Sequence, residues 1–400
     1  MESGFLNPES IAPMSPGKVP IPVSIVRCPD YDPERVREAI GKCLRPMGGI
    51  GAFVQPGARV LLKPNLLSPH PPEAAVCTHP EIVRAVAELV LEAGGRPFLG
   101  DSPAAVSMSR VLKRSGINKV VRDLGIQTVD FRRPVKVPVP GKGGRRFLFL
   151  AREALGFDLI INLPRFKTHS RMVLSLSVKN MFGTVVGTGK AGWHLEAEGT
   201  EPFADLLLDV CRAVEPGLSI LDGITAMEGE GPSSGDPFFL GLLFASPSAI
   251  ALDRVAGEVA GVSVEKHPVL RQAVKRGLEG VKPEEFSVIG PDIGEIRRSF
   301  SLPPGAPGIE DRLPSWVKRP VRRSIATFPA LNREKCVSCG QCADICPVGA
   351  IVLSEGDKGG GIVEKAKCVS CFCCQETCPH GAIDLVPGKL LRLLRRMGMA

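Results

Sequence analysis

Cys336-Val337-Ser338-Cys339-Gly340-Gln341-Cys342-Ala343-Asp344-Ile345-Cys346-Pro347 returns thirty-two residues later as Cys368-Val369-Ser370-Cys371-Phe372-Cys373-Cys374-Gln375-Glu376-Thr377-Cys378-Pro379. The same shift lays Gly349-Ala350-Ile351 on Gly381-Ala382-Ile383, so the segment is an internal repeat. Each copy has the spacing in which three close thiolates hold one 4Fe–4S cluster and the fourth crosses to its neighbour. Cys336, Cys339, Cys342 and Cys378 are therefore expected to ligate cluster 1, and Cys368, Cys371, Cys374 and Cys346 cluster 2. Structural zinc in two four-cysteine sites would need neither the third cysteine of each run nor the proline. Cys373 stands where the first copy has Gln341 and is read as a spectator thiol.

Working outward, nine of the thirteen cysteines fall in this module, and Cys28, Cys43, Cys77 and Cys211 are scattered. Scattered free cysteines read as small buried hydrophobes. The net charge of +8 is partly local. Arg312, Lys318, Arg319, Arg322, Arg323, Arg333 and Lys335 are opposed there only by Glu334, which describes a solvated linker or a docking strip for an acidic redox partner. The tail, with Leu390, Leu391, Leu393, Leu394, Arg392, Arg395 and Arg396, reads as a basic amphipathic helix, either packed on the protein or used for docking.

The chain of 400 residues exceeds one compact core, with 44% hydrophobic and 23% charged residues. Residues 1–22 are expected to be a flexible segment with no signal-peptide pattern. The most apolar stretch, residues 238–252, is broken by Ser246-Pro247-Ser248 and is too short to span a bilayer. A cytoplasmic location is expected on these grounds. Two Trp, one Tyr and no recognised motif argue against nucleic-acid binding.

Residues 23–290 alternate short apolar runs with helical periodicity. Strands are expected at 23–27, 59–62, 97–100, 128–131, 158–163, 218–221 and 238–244, and helices at 33–44, 80–93, 108–114, 202–213 and 248–260. This alternation predicts an α/β domain with a mostly parallel, doubly wound sheet, followed by a linker over 291–332, a small α+β ferredoxin-like two-cluster domain over 333–386, and the tail over 387–400. Residues 136–140 and 145–150 read as a hairpin insertion.

Polar residues follow the apolar runs: Lys63-Pro64-Asn65, Asp101-Ser102, the stretch from Pro164 through Lys167 to His169, and Asp222-Gly223. Ligands of open parallel sheets bind beyond the carboxyl ends of strands, at loops of this kind. Residues 179–194 read as a basic, Gly-rich loop suited to an anionic ligand. Its Gly187, Gly189 and Gly192 lack the strand–turn–helix setting of a dinucleotide fingerprint. It is not a P-loop either, because Gly183 is one residue too far away and Ala191 replaces the hydroxyl residue. Residues 228–232 read as a mobile acidic loop.

Lys63-Pro64-Asn65, the 164–169 stretch, Lys179-Asn180 with Gly183, Lys190 with His194, and Asp222-Gly223 followed by the 228–232 loop together resemble the family called domain of unknown function 362. Members fused to a two-cluster ferredoxin are described as iron–sulfur centre proteins. Arg165 stands where that resemblance would put Lys; charge is kept. The resemblance names no reaction.

The reading is an iron–sulfur oxidoreductase, with Lys63, Asn65, Lys167, Lys179, Asn180, Lys190, Glu228 and Glu230 binding an anionic substrate or cofactor. His169 and His194 would move protons, and Asp222 would act as a base or, with Glu228 and Glu230, bind a metal. An electron carrier or maturation scaffold without substrate chemistry is the alternative.

Overall fold

The computed structural model describes residues 19–104, 106–141, 144–187, 189–197, 199–303, 324, 326–354 and 360–396, with only the backbone of 394–396. Twelve strands lie in the first part of the chain: β1 (Ile21–Arg27), β2 (Arg59–Pro64), β3 (Arg96–Asp101), β4 (Gln127–Asp130), β5 (Pro134–Pro138), β6 (Phe147–Ala151), β7 (Leu159–Leu163), β8 (Arg165–His169), β9 (Val173–Ser175), β10 (Leu218–Glu228), β11 (Asp236–Ser246) and β12 (Phe286–Ile289). Ten of them form one sheet, in the order β12-β1-β11-β10-β7-β2-β3-β4, with β8 and β9 branching from β10. The ladders are parallel except where β11 meets β1 and β10, and where β8 meets β9. The expected mostly parallel α/β architecture is what the chain adopts. β5 and β6 pair separately as the hairpin insertion.

Alternation along the strands builds a core on each face of the sheet. Val60 and Leu62 face the helices Pro33–Leu44 and Pro80–Glu92, whereas Leu61 faces the helix Thr200–Val214. β7 follows the same rule, with Ile161 on the first side and Ile160 on the second. Pro33 opens its helix behind Asp32, whose carboxylate accepts the Arg35 backbone N–H at 3.1 Å.

Two stretches read as loops are regular. Residues 165–169 form β8, every residue of it buried, paired parallel to β10 through Asp222 and Met227. A run containing Arg, Lys and His looks solvent-facing because burying charge without partners is costly; the partners here come from distant elements. Residues 189–196 form a helix rather than a Gly-rich loop.

Residues past Gly290, within the stretch expected as a linker, still contribute to the α/β core: Ile296 and Phe300 are buried against the helix Ala249–Val259. In the module, β13 (Thr327–Leu331) pairs with β16 (Ile383–Pro387), and β14 (Ile351–Leu353) with β15 (Gly361–Val363), all antiparallel. The repeat is visible in the backbone. Ser338 and Ser370 both take φ 53°, and Gly349 and Gly381 both take φ 57°.

The terminal helix Lys389–Arg396 buries Leu391 and leaves Leu390 and Leu393 partly exposed. Residues 1–18, the basic positions 312–323 and the side chains of Leu394, Arg395 and Arg396 lie outside the described residues. No helix among the described residues is long and apolar enough to cross a membrane.

Candidate functional site

The module's cysteines wall two separate cavities. One is bounded by Cys336, Cys339, Cys342 and Cys378, the other by Cys346, Cys368, Cys371 and Cys374, with Cys373 beside them. These are the two crossed sets that the spacing implies. Among the described residues no three such side chains converge on a single ion position, whereas a cubane needs ligands spread around a cavity. The backbone also supplies donors: Ala350 N–H to Cys346 Sγ at 3.2 Å, Ala382 N–H to Cys378 Sγ at 3.3 Å and Ser370 N–H to Cys368 Sγ at 3.4 Å. Amides aimed at sulfur favour thiolate and suit a 4Fe–4S cluster.

The helix Cys373–Thr377 plugs the module into the α/β domain. Gln375 is fully buried. Its Oε1 accepts from Ser170 Oγ at 3.1 Å, its Nε2 donates to the Glu230 carbonyl at 2.8 Å, and its own carbonyl accepts from Ser233 Oγ at 2.9 Å. One residue on, Glu376 Oε1 lies 2.8 Å from His169 Nε2. The angles of that contact fall short of a regular hydrogen bond, so it is an electrostatic pairing of two buried groups.

Between the domains lies a small cleft of about 70 Å³, well below the roughly 300–1,000 Å³ of sites for drug-sized molecules. Asn65, Ser102, Lys179, Asn180, Lys190 and His194 line it from the α/β side, and Ile345, Cys373 and Glu376 from the module. Leu66, Phe182 and Ala191 give it an apolar flank. Cys373 is the decisive neighbour, because it borders both this cleft and the cavity of the second cysteine set.

The lysines play different parts. Lys63, fully buried at the end of β2, pairs with Asp101 at 3.0 Å at the end of β3, and burial pushes its pKa down despite that partner. Gly183 is needed beside them, since a Cβ there would overlap Asp101 Oδ1. Lys167 donates to Asn65 Oδ1 at 3.0 Å and to the Val76 carbonyl at 2.7 Å; burial lowers it to about 7. Lys190 donates to the Ser102 carbonyl and is lowered to about 8, again by burial. Lys179 has no hydrogen bond or ion pair among the described residues.

A relay of amides fixes the floor. Asn65 Nδ2 donates to Asn180 Oδ1 at 3.0 Å, and Asn180 Nδ2 to Asn162 Oδ1 at 2.8 Å. Buried Asp253 accepts the Ser177 and Val178 N–H groups at 2.7 and 3.0 Å, anchoring the turn that carries Lys179.

Both histidines are neutral near pH 7. Burial lowers His169 to about 4 and His194 well below its ordinary value. His169 Nδ1 accepts the Arg171 and Met172 N–H groups at 3.0 and 3.2 Å, so its proton sits on Nε2, facing Glu376. Arg171 NH1 lies 3.0 Å from His194 Nδ1, which likewise leaves the proton on Nε2. Burial pushes Glu376 up, but Lys179 and His169 together hold it below the usual carboxylate range.

Six expected site residues do not line the cleft: Lys63, Lys167 and His169 each touch a residue that does, namely Asp101, Asn65 and Glu376, and the other three lie elsewhere. Asp222 is consumed by a fully buried pair with Arg165, with Tyr31 Oη donating to it at 2.8 Å and the His79 backbone N–H at 3.0 Å. Glu228 pairs with Arg298 at 3.1 Å and accepts the Ser301 N–H at 2.9 Å. Glu230 meets the module through its carbonyl. None of the three lines the cleft. Polarity at a strand end, as for Asp222, or in an acidic loop, as for Glu228 and Glu230, does not distinguish a ligand contact from a satisfied internal partner. Glu376, Gln375 and Arg171 were missed, and the first two carry a faint signal: their repeat counterparts are Asp344 and Ala343, so the copies diverge there.

Residues 60–258 match the protein family described as "Domain of unknown function (DUF362)", and residues 335–382 match "4Fe-4S dicluster domain". The chain is 41% identical over 271 residues to the "Thylakoid-associated protein sll1697" of Synechocystis sp. (strain ATCC 27184 / PCC 6803 / Kazusa), covering 66% of this chain and 81% of that protein. The chain belongs to the DUF362 family. Within DUF362 it carries a ferredoxin-type module, which supports an iron–sulfur electron-carrier role. A solved lactate racemase apoprotein from Thermoanaerobacterium thermosaccharolyticum aligns with a TM-score of 0.38 and 12% identity, over 60% of this chain and 57% of that one. That likeness is too slight to bear on function.

Proposed function

We propose that this DUF362 protein is an oxidoreductase in which two 4Fe–4S clusters exchange electrons with an anionic small molecule bound in the interdomain cleft. Cys336, Cys339, Cys342 and Cys378 would hold one cluster, and Cys346, Cys368, Cys371 and Cys374 the other. Bound there, the clusters supply one-electron chemistry. The observation that carries the reading is the position of Cys373, which separates the second cysteine set from the cleft by a single side chain.

The chain's own groups suit an anionic ligand. Lys179 offers a point charge engaged by no hydrogen bond or ion pair among the described residues, though it acts on the Glu376 carboxylate of the same cleft, and Lys190 offers a second cationic head nearby. Leu66, Phe182 and Ile345 exclude water from one flank, which strengthens these attractions. The neutral His194 offers an Nε2–H hydrogen bond at the wall, and the Lys190 ammonium is a proton donor near the pH where such a group both gives and regains a proton. Electrons would arrive from a separate redox partner protein.

Anaerobic purification followed by iron and sulfide analysis and mass analysis of released small molecules tests this reading. It expects two clusters per chain and a co-purifying anion that is lost in Lys179→Gln. Two clusters with no ligand, and cluster spectra indifferent to every anion offered, would leave the chain as an electron carrier or maturation scaffold.

A further inference from the structure

We infer that the cleft at Lys179 is an anion site whose occupancy is linked to the oxidation state of the second cysteine set alone, so that anion binding and reduction oppose each other. The inference rests on the proposed function for the presence of clusters, and goes beyond it in assigning different roles to the two cysteine sets and a ligand class to one side chain.

The two cavities of the module differ in what surrounds them. The cavity bounded by Cys336, Cys339, Cys342 and Cys378 lies away from the cleft, and Cys339 is exposed to solvent. The other cavity shares Cys373 with the cleft, and Cys371 and Cys373 pack with Ala191 and Ile345 in one buried apolar cluster. Charge in the cleft therefore acts on the second set through buried, apolar surroundings, where screening is weak, and on the first across the module and solvent.

Lys179 is the charge that a ligand would find. Lys63 is neutralised by Asp101, while Lys167 and Lys190 spend their protons on carbonyl and amide oxygens. Lys179 lines the cleft together with Cys373 and Glu376; it makes no hydrogen bond or ion pair among the described residues, and the Glu376 carboxylate is the charge it acts on at longer range. A carboxylate or phosphate group on Lys179 would cancel its charge beside the second set. Reduction of a cluster there adds one negative charge, so a bound anion lowers its potential. By linkage, reduction must weaken the anion's binding by the same factor. The electron is taken up from a chemical reductant and nothing else need change.

The test is an EPR-monitored redox titration of the anaerobically reconstituted full chain, with Cys339→Ala identifying which signal belongs to the second set. Lys179→Gln is expected to shift the second set's midpoint to lower potential and leave the first unmoved, and Lys179→Arg to restore it. Inorganic phosphate and acetate are then added separately to the wild type. At least one should lower the same midpoint, with no effect in Lys179→Gln, and the one that acts names the group the site takes. Equal movement of both midpoints, or none in Lys179→Gln, overturns the linkage. Failure of both anions to move the wild-type midpoint overturns the anion site. Absence of clusters by iron analysis would instead overturn the proposed function.

Discussion

His169 of β8 and Glu376 of the ferredoxin-type module meet across the domain boundary, with Nε2 of the one 2.8 Å from Oε1 of the other and both side chains nearly or fully buried. The backbone N–H groups of Arg171 and Met172 occupy Nδ1, so the imidazole has one way to face the carboxylate. The contact joins an element of the α/β sheet to a helix that contains Cys374 and is followed by Cys378, one cysteine from each set.

Glu376→Ala should strand the His169 Nε2–H in a dry interface. The two groups form no regular hydrogen bond, so what is lost is their buried electrostatic pairing, and chemical denaturation should show a measurable fall in stability. Glu376→Gln keeps an acceptor and should lose less. Equal stability of all three proteins would mean that the pair does not hold the module in place.

Cys373→Ala should retain the iron of the wild type, because the residue stands outside both four-cysteine sets, whereas Cys371→Ala should lose about half. Iron and sulfide assays separate these outcomes. Loss of iron in Cys373→Ala would make it a ligand and redraw the second set.

Gly183→Ala would force a methyl group onto the buried Lys63–Asp101 pair. Overpacking of this kind costs about 1–3 kcal/mol, and the turn carrying Asn180 and Lys179 should move with it. Thermal unfolding should show the loss, together with weaker anion binding; an unchanged protein would mean that the pair tolerates displacement.

Asp222→Asn should be destabilising by about 3–5 kcal/mol, since it removes the counter-charge of fully buried Arg165. Its folded fraction should keep the cluster spectra and anion response of the wild type. Loss of the anion response in protein that is still folded would return Asp222 to the site.

Anion affinity should fall as pH rises through about 8. The Lys190 pKa is lowered by burial, so its positive charge is present below that pH and lost above it, at a pH where an ordinary lysine would still be charged. Calorimetric titration with phosphate from pH 6.5 to 9 should show the decline, and Lys190→Gln should flatten it. A decline of the same size in the variant would move the titrating group elsewhere.

Local patterns settled much of this protein. The cysteine repeat specified the module because ligand spacing within about a dozen residues is a local property, and the helices Pro33–Leu44 and Met108–Arg114 follow from apolar periodicity and, for the first, a proline start behind Asp32. The strand–helix alternation likewise implied the parallel sheet. What the sequence could not decide was which polar residues face a ligand. Lys179, Lys63 and Asp222 look equivalent along the chain, each a charged residue in a polar stretch. Only the folded structure gives Lys63 to Asp101 and Asp222 to Arg165 while leaving Lys179 with no hydrogen bond or ion pair among the described residues, only the longer-range pull of Glu376. Burial of β8 depends in the same way on partners more than fifty residues distant. The cleft itself has one wall from each domain, so no single stretch of sequence contains it. Long-range pairing of charge and the docking of one domain on another are tertiary events, and they decide what a charged residue is for.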